Sequence, residues 1–428
     1  MFDDVTADPV DPVEAALIAR IAELERAKAA AAAEQAQATV DLDEMRRRSE
    51  AAAGIPTRRR GRGLASEIAL ARRDSPTCGG RHLGFARALV HEMPHTLAAL
   101  AAGVLSEWRA TLIVRESACL TVEDRRRLDD ELCSDQAGLD GLGDARIAAA
   151  AKTIAYRLDP QAVVDRAVRA QAERTVTIRP APDTMTYLTA LLRMARGVSV
   201  YAALKRTADT CGDSRGRRQV MADTLVERVT GRPADVPVPV AVNLVLTDET
   251  LLGGGIEPAR ITGYGPVPAA VARRLIGRAV GDRRSRATLR RLYKHPCSGA
   301  LVAMESKARR FPNGLARFID VRDDTCRTPY CDAPIRHHDH ANPHSRGGPT
   351  NGVNGLGECE RCNYAKEARG WAVATRCDGK GRHTAEFTTP TGARHMSAAP
   401  PLPGPTRVDL AELQARMTAE LAKYEHAA

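Results

Sequence analysis

Two short cysteine pairs, Cys326-Arg-Thr-Pro-Tyr-Cys331 and Cys359-Glu-Arg-Cys362, bracket a histidine-rich segment, Ile335-Arg-His-His-Asp-His340. Four thiolates in C-x4-C and C-x2-C spacing suit a tetrahedral zinc site. A Zn2+ closed by Cys326, Cys331, Cys359 and Cys362 has no open coordination position. It would act as a staple, its binding energy going into folding a module too small for a large core. Chemistry then falls to the neighbours. Asp339 is a hard oxygen donor for Mg2+ or a similar ion, and His340, with an ordinary pKa near neutrality, suits a general base. On a strand, adjacent residues point to opposite faces, so one can meet a metal while the other addresses a water. Asn354 closes the loop Gly347-Gly-Pro-Thr-Asn-Gly-Val-Asn354 and can hold it by bonding backbone, which would orient His340. Asn363, immediately after Cys362, offers a second oxygen ligand, and Lys366, one turn later, a phosphate contact. A base, a cation and a phosphate contact are what phosphodiester hydrolysis needs. Any one of these residues alone is an ordinary polar surface group; their order inside a cysteine frame is what points to hydrolysis.

The charge balance fits an anionic partner. The 428 residues carry a formal net charge of +10, which favours nucleic acid first and an anionic membrane surface second. Residues 282–317 are strongly basic, opposed only by Asp282 and Glu305, and lead into the cysteine module. Arg309, Arg310 and Arg317, with Lys366, are the expected nucleic-acid contacts; the run reads as a track for DNA phosphates. The ten cysteines include six without repeated spacing (Cys78, Cys119, Cys133, Cys211, Cys297, Cys377), unlike a secreted disulfide framework. The acidic start lacks a signal-like apolar core, and no run approaches about 18 apolar residues. The expectation is a cytoplasmic protein without a membrane partner.

Around the module the pattern is mainly helical. Residues 12–53 read as one long helix with Pro12 in its first turn. Leu17, Ile21, Leu24 and Lys28 have a/d-like spacing before the repeat dissolves into alanines, so a coiled coil and a helix packed on its own protein both fit. Gly54, Pro56 and Arg58-Arg-Arg-Gly-Arg62 form a basic linker. From Leu64 to Arg228 helices dominate, with a start signal at Asp159-Pro160 and a capping-box-like pair, Thr121 and Asp124. Thr96 to Arg115 has the rhythm of a helix-turn-helix, whose recognition helix would run Ser106 to Ile113, but that spacing is common in any helical bundle and core packing is the favoured reading. Short strands are expected at Thr175–Arg179 and Val238–Leu246. Gly263-Tyr-Gly265-Pro-Val-Pro is no dinucleotide loop, because Pro266 and Pro268 lack amide donors. A hairpin is expected from Trp371 to Phe387 around Asp378-Gly379, then a linker from Pro390 to Pro405 and a helix from Leu410 to Tyr424.

The segment Cys326 to Lys366 resembles the HNH endonuclease module, a ββα-metal finger. The resemblance implies Asp339 as metal ligand, His340 as general base, Asn354 as the loop-shaping residue and Asn363 as the position that completes the metal site. Asn363 stands where many members have His, so the ligands would be all oxygen, favouring Mg2+ or Mn2+ over zinc as the catalytic ion. His337 and His338 precede Asp339; a two-residue slip would make His338 the base, but Asp339-His340 lies at the right distance before Gly347-Gly348. The rest resembles, more diffusely, the helical domain of unknown function that precedes HNH modules in an actinobacterial repeat family of the thirteen-E-twelve type. The matching stretches are Leu97-Ala-Ala-Leu-Ala-Ala-Gly103, Arg125-Arg-Arg-Leu-Asp129, Asp159-Pro160 and Gly263-Tyr-Gly-Pro266.

The expected architecture is a mainly α, multidomain chain with a few short strands and a small zinc-stapled ββα-metal module near the C-terminus. Its parts would be an N-terminal helix and linker (1–63), a helical domain (64–300), the HNH module (305–375), and a hairpin, linker and helix (376–428). The expected function is metal-dependent endonucleolytic hydrolysis of DNA. The alternatives are a DNA-binding protein of a mobile or regulatory element with a weak or silent nuclease site, and a helical scaffold that self-associates, as a possible homodimer, through residues 12–53.

Overall fold

A computed structural model describes residues 11–212, 214–234, 236, 244–252, 254–281, 305–306, 310–378 and 381–404. The chain divides into two compact units, residues 1–172 and 173–428. It is mainly helical with a few short strands.

The first unit is a helical assembly: α1 (Pro12–Ala52), α2 (Leu64–Arg72), α3 (Pro76–Glu92), α4 (Pro94–Ala101), α5 (Glu107–Ser117), α6 (Val122–Cys133), α7 (Asp144–Leu158) and α8 (Pro160–Ala170). α1 begins where expected, with Asp11 accepting from Val13 N and Pro12 in the first turn. The alanine stretch that dissolves the heptad is its packed half. Ala29, Ala32, Ala33, Ala36 and Val40 are buried in one core with Phe85 and Leu89 of α3 and Ala99 and Leu100 of α4; small side chains let these backbones approach closely. Before Ala29 the helix is exposed, Leu17, Ile18 and Ile21 included. Of the two readings of Thr96 to Arg115, core packing is the one the structure shows: Ala110, Leu112 and Ile113 of α5 are buried, and α5 packs on α7. Asp129, inside Arg125-Arg-Arg-Leu-Asp129, is fully buried and accepts from His95 N (2.7 Å), Thr96 N (2.8 Å) and Thr96 Oγ1. It thereby satisfies the open N-terminus of α4 from across the core. Asp159 caps α8 through Ala162 N.

The second unit begins with an antiparallel hairpin, β1 (Thr175–Ala181) and β2 (Met185–Leu191), then α9 (Met194–Thr210) and α10 (Arg217–Thr230), which pack on each other. Next come β3 (Leu244–Val245), α11 (Asp248–Leu252), β4 (Ala259–Ile261), β5 (Gly265–Val267) and α12 (Ala269–Gly281); β3, β4 and β5 form a sheet in which Thr262-Gly263-Tyr264 turns β4 into β5. Of the expected strand Val238–Leu246, Leu244 and Val245 form β3; residues 238–243 lie outside the described residues.

The cysteine module follows: β6 (Glu305–Ser306), α13 (Asn313–Asp323), β7 (His337–His340), β8 (Thr350–Asn351), β9 (Gly355–Glu358) and α14 (Glu360–Lys366). β7 pairs antiparallel with β9, His337 opposite Glu358 and His340 opposite Gly355. β10 (Ala372–Cys377), β11 (His383–Thr388) and β12 (Arg394–Ala398) complete an antiparallel sheet. The hairpin was expected. β12 was not: it lies inside the segment read as linker, because Pro390 and Pro400 flank a strand of only 5 residues. The expected helix Leu410–Tyr424 lies outside the described residues.

Candidate functional site

The four cysteine sulfurs lie within 4.8 Å of one another. Cys331 and Cys359 Sγ are 3.8 Å apart, which matches the edge of about 3.8 Å that a tetrahedron with Zn–S bonds of about 2.3 Å requires. Cys359 also caps α14, its sulfur accepting from Cys362 N. Four thiols so placed can hold a metal ion such as zinc.

Buried charge fixes this frame from α13. Asp323 is fully buried, and its carboxylate takes Arg322 Nε (2.7 Å) and Nη2 (2.8 Å), Arg327 Nη1 (3.0 Å) and Gly357 N of β9 (2.8 Å). Burial alone would raise its pKa; the two guanidiniums and the amide outweigh that and hold the carboxyl below its ordinary value. Arg322 also donates to the carbonyls of Gly352 and Gly355, and Arg327 to Ser397 O of β12. His383 of β11 reaches Val353 O at 2.8 Å. Burial and the nearby Arg322 lower its pKa to about 4. The sheet β10–β12 is thus tied to the loop that carries Asn354.

Asn354 clamps that loop. Its Oδ1 accepts from Asn342 N (2.9 Å), and its Nδ2 donates to Asn342 O (3.0 Å) and Pro349 O (2.8 Å). Gly348 makes the close approach possible, since a Cβ there would overlap Asn342 O. Asn342 lies two residues past His340, so the clamp sets where the end of β7 points. His340 is buried, with Nε2 2.8 Å from Thr350 Oγ1 and the Phe311 ring 4.6 Å away.

Asp339 and His340 do not diverge as a regular strand would place them. His340 Nδ1 lies 3.8 Å from Asp339 Oδ1 although both residues are paired in β7. In its satisfied orientation Asn363 donates its amide nitrogen to Asp339 Oδ2 (2.6 Å) and Glu358 Oε2 (3.2 Å). The expected second ligand is therefore at hand, with its nitrogen turned toward the carboxylates. Lys366 departs from expectation. It is not a surface phosphate contact: it is buried, its ammonium 2.7 Å from Asp339 Oδ2, 2.7 Å from Glu358 Oε2 and 3.1 Å from His340 O. Burial pulls its pKa down, but Glu358 and Asp339 more than offset this and hold it above the ordinary lysine value. Burial pushes the Glu358 carboxyl up, with Lys366 opposing.

Glu358 and Thr350 are the site residues that sequence reasoning missed. The usable signal for Glu358 is its place in β9 directly opposite His337; Thr350 has none beyond its loop. His338, the alternative base, is engaged with Asp320 of α13 at 2.7 Å.

A cleft of about 410 Å³ is lined by Arg310, Phe311, His338, Asp339 and His340. Arg310 and Arg317 are exposed; Lys307, Arg309 and the basic residues from Arg283 to Lys294 lie outside the described residues. A recess of about 590 Å³ in the first unit, lined by Arg127, Asp130, Glu131, Ser134, Arg157 and Leu158, holds charges already paired, Arg157 with Glu131 and Arg127 with Asp124. The chemistry-bearing recess is the smaller one.

Residues 55–323 match the family model described as Domain of unknown function (DUF222). That is more than half of the chain, and the protein belongs to this family. The match ends at Asp323, so it takes in β6 and α13, while the four cysteines, β7, β8, β9 and α14 lie beyond it. No curated protein and no solved structure matches the chain.

Proposed function

We propose that the protein is a metal-dependent endonuclease whose site is the HNH-type module at Cys326–Lys366. One observation carries this reading: Asp339, His340 and Asn363 converge at the end of an antiparallel strand pair and its following helix, beside four clustered thiols. Zn2+ on the four cysteines is the staple. Asp339, with Asn363 turned to present its oxygen, holds Mg2+ or Mn2+; such an ion offsets the charge that builds on a phosphate under attack. His340 accepts a proton from the attacking water at Nδ1, Thr350 fixing the ring through Nε2. Asn354 holds His340 in position through Asn342. The partner is DNA: Arg310 on the cleft, exposed Arg317 and the +10 net charge favour a polyanion gripped by its phosphates.

Supercoiled plasmid incubated with Mg2+ or Mn2+ tests this. Nicking by the protein that is absent with His340→Ala supports it. Equal DNA binding by both without cleavage favours a DNA-binding protein with a silent site, and no DNA binding at low salt leaves the scaffold reading.

A separate observation favours self-association. Val13, Leu17, Ile18, Ile21 and Leu24 are all exposed along the first turns of α1. In a parallel pair seamed by Leu17, Ile21 and Leu24, Arg20 of one helix flanks Glu25 of the other, opposite in charge. Light scattering should give a dimer, and Leu17→Asp with Ile21→Asp a monomer.

A further inference from the structure

Among the described residues of 305–375, Glu358 is one of two side chains with a buried polar atom lacking a partner, the other being Trp371. Glu358 is fully buried, and its Oε1 has no hydrogen-bond partner among the described residues. A buried carboxylate oxygen left bare is costly, so it normally marks a missing partner. Its other oxygen, Oε2, meets Lys366 Nζ at 2.7 Å. The same ammonium sits 2.7 Å from Asp339 Oδ2 and 3.1 Å from His340 O. Three oxygens from β7 and β9 thus converge on one cationic nitrogen, with the Asn363 carboxamide against both carboxylates. That is a set of hard oxygen donors of the kind a small divalent cation takes. The two carboxylates also outnumber the single ammonium.

We infer that the Lys366 ammonium is the resident cation of this site, and that a divalent ion takes the same donors by displacing it, with Glu358 as a ligand alongside Asp339. The inference rests on the metal site proposed above and extends it in two ways. It adds Glu358, and it gives Lys366 the role of a tethered competitor. Held on α14, Lys366 keeps the buried Glu358 and half-buried Asp339 carboxylates compensated when no metal is bound. When an ion enters, the lysine swings away and Asn363 turns its oxygen inward. The site therefore binds divalent ions weakly while Lys366 competes, and tightly once the lysine is gone.

Mn2+ binding, read from loss of the free-ion electron paramagnetic resonance signal, tests this on the full chain. Lys366→Met should bind Mn2+ at least tenfold more tightly than the wild type, and adding Glu358→Gln should weaken that binding at least tenfold. Lys366→Met binding no more tightly, or the double variant binding as well as the single, overturns the inference. Should Lys366→Met not fold, lysine acetylation of the wild type read by mass spectrometry decides. Lys366 labelling should rise severalfold with millimolar Mn2+, and unchanged labelling overturns the displacement. Tighter Mn2+ binding by Lys366→Met without DNA cleavage by any form would leave this inference standing and sink the nuclease reading. Cleavage by the wild type with Lys366 still protected would do the reverse.

Discussion

Asn354 acts on His340 without touching it, through the backbone of Asn342. Asn354→Ala removes the side-chain partner of three part-buried backbone groups, Asn342 N, Asn342 O and Pro349 O. It should cost roughly 1–3 kcal/mol in denaturant unfolding and lower cleavage through a misplaced His340. His383 gives a pH signature. Its folded value of about 4 lies below its ordinary 6.5, so the buried neutral ring contributes stability that is complete above pH 6.5. Below that the unfolded chain binds the proton first, and stability is lost as pH falls through about 4, by on the order of 3 kcal/mol. Thermal melts between pH 7 and 4 should show this loss, and His383→Gln should flatten it. The resemblance to the HNH module singled out Asp339, His340, Asn354 and Asn363; the structure brings Asp339 beside His340 and Asn363, and Asn354 bonds the loop backbone as its place in the sequence suggests. Lys366 was misjudged because helical spacing from Asn363 gives a shared face but does not say whether that face is covered.

At the scale of elements, α13 anchors the module through Asp323. Asp323→Asn leaves Arg322 and Arg327 buried without their counter-charge and should cost about 3–5 kcal/mol, measured as a shift in the denaturant midpoint. Nothing in the sequence separates this Asp from a surface residue at a helix end, since its partners are spread over residues 322–357. The cysteine cluster predicts one zinc per chain by elemental analysis. Its removal by a chelator should abolish hydrogen-exchange protection in β7, β9 and α14 while α3 to α7 keep theirs. The long helix α1 was legible from its cap and Pro12. Its two environments were not, because alanine content marks close packing only once the partner helices are known. β12 was hidden by flanking prolines, and its pairing to β11 is what makes it a strand.

At the scale of the molecule, the family region supplies most of the chain and the cysteine module the chemistry-bearing residues. Charge and composition pointed to a polyanionic partner, but they do not distinguish a protein that only holds DNA from one that cuts it. That distinction rests on whether His340 moves a proton. Single-turnover cleavage of a labelled DNA duplex in Mg2+ or Mn2+, with duplex affinity measured in parallel for the wild type and His340→Ala, tests it most directly. The predicted result is a cleavage rate lower by about 10²–10⁴-fold in the variant, with affinity unchanged. Equal rates, or no metal-dependent cleavage by the wild type, would contradict it.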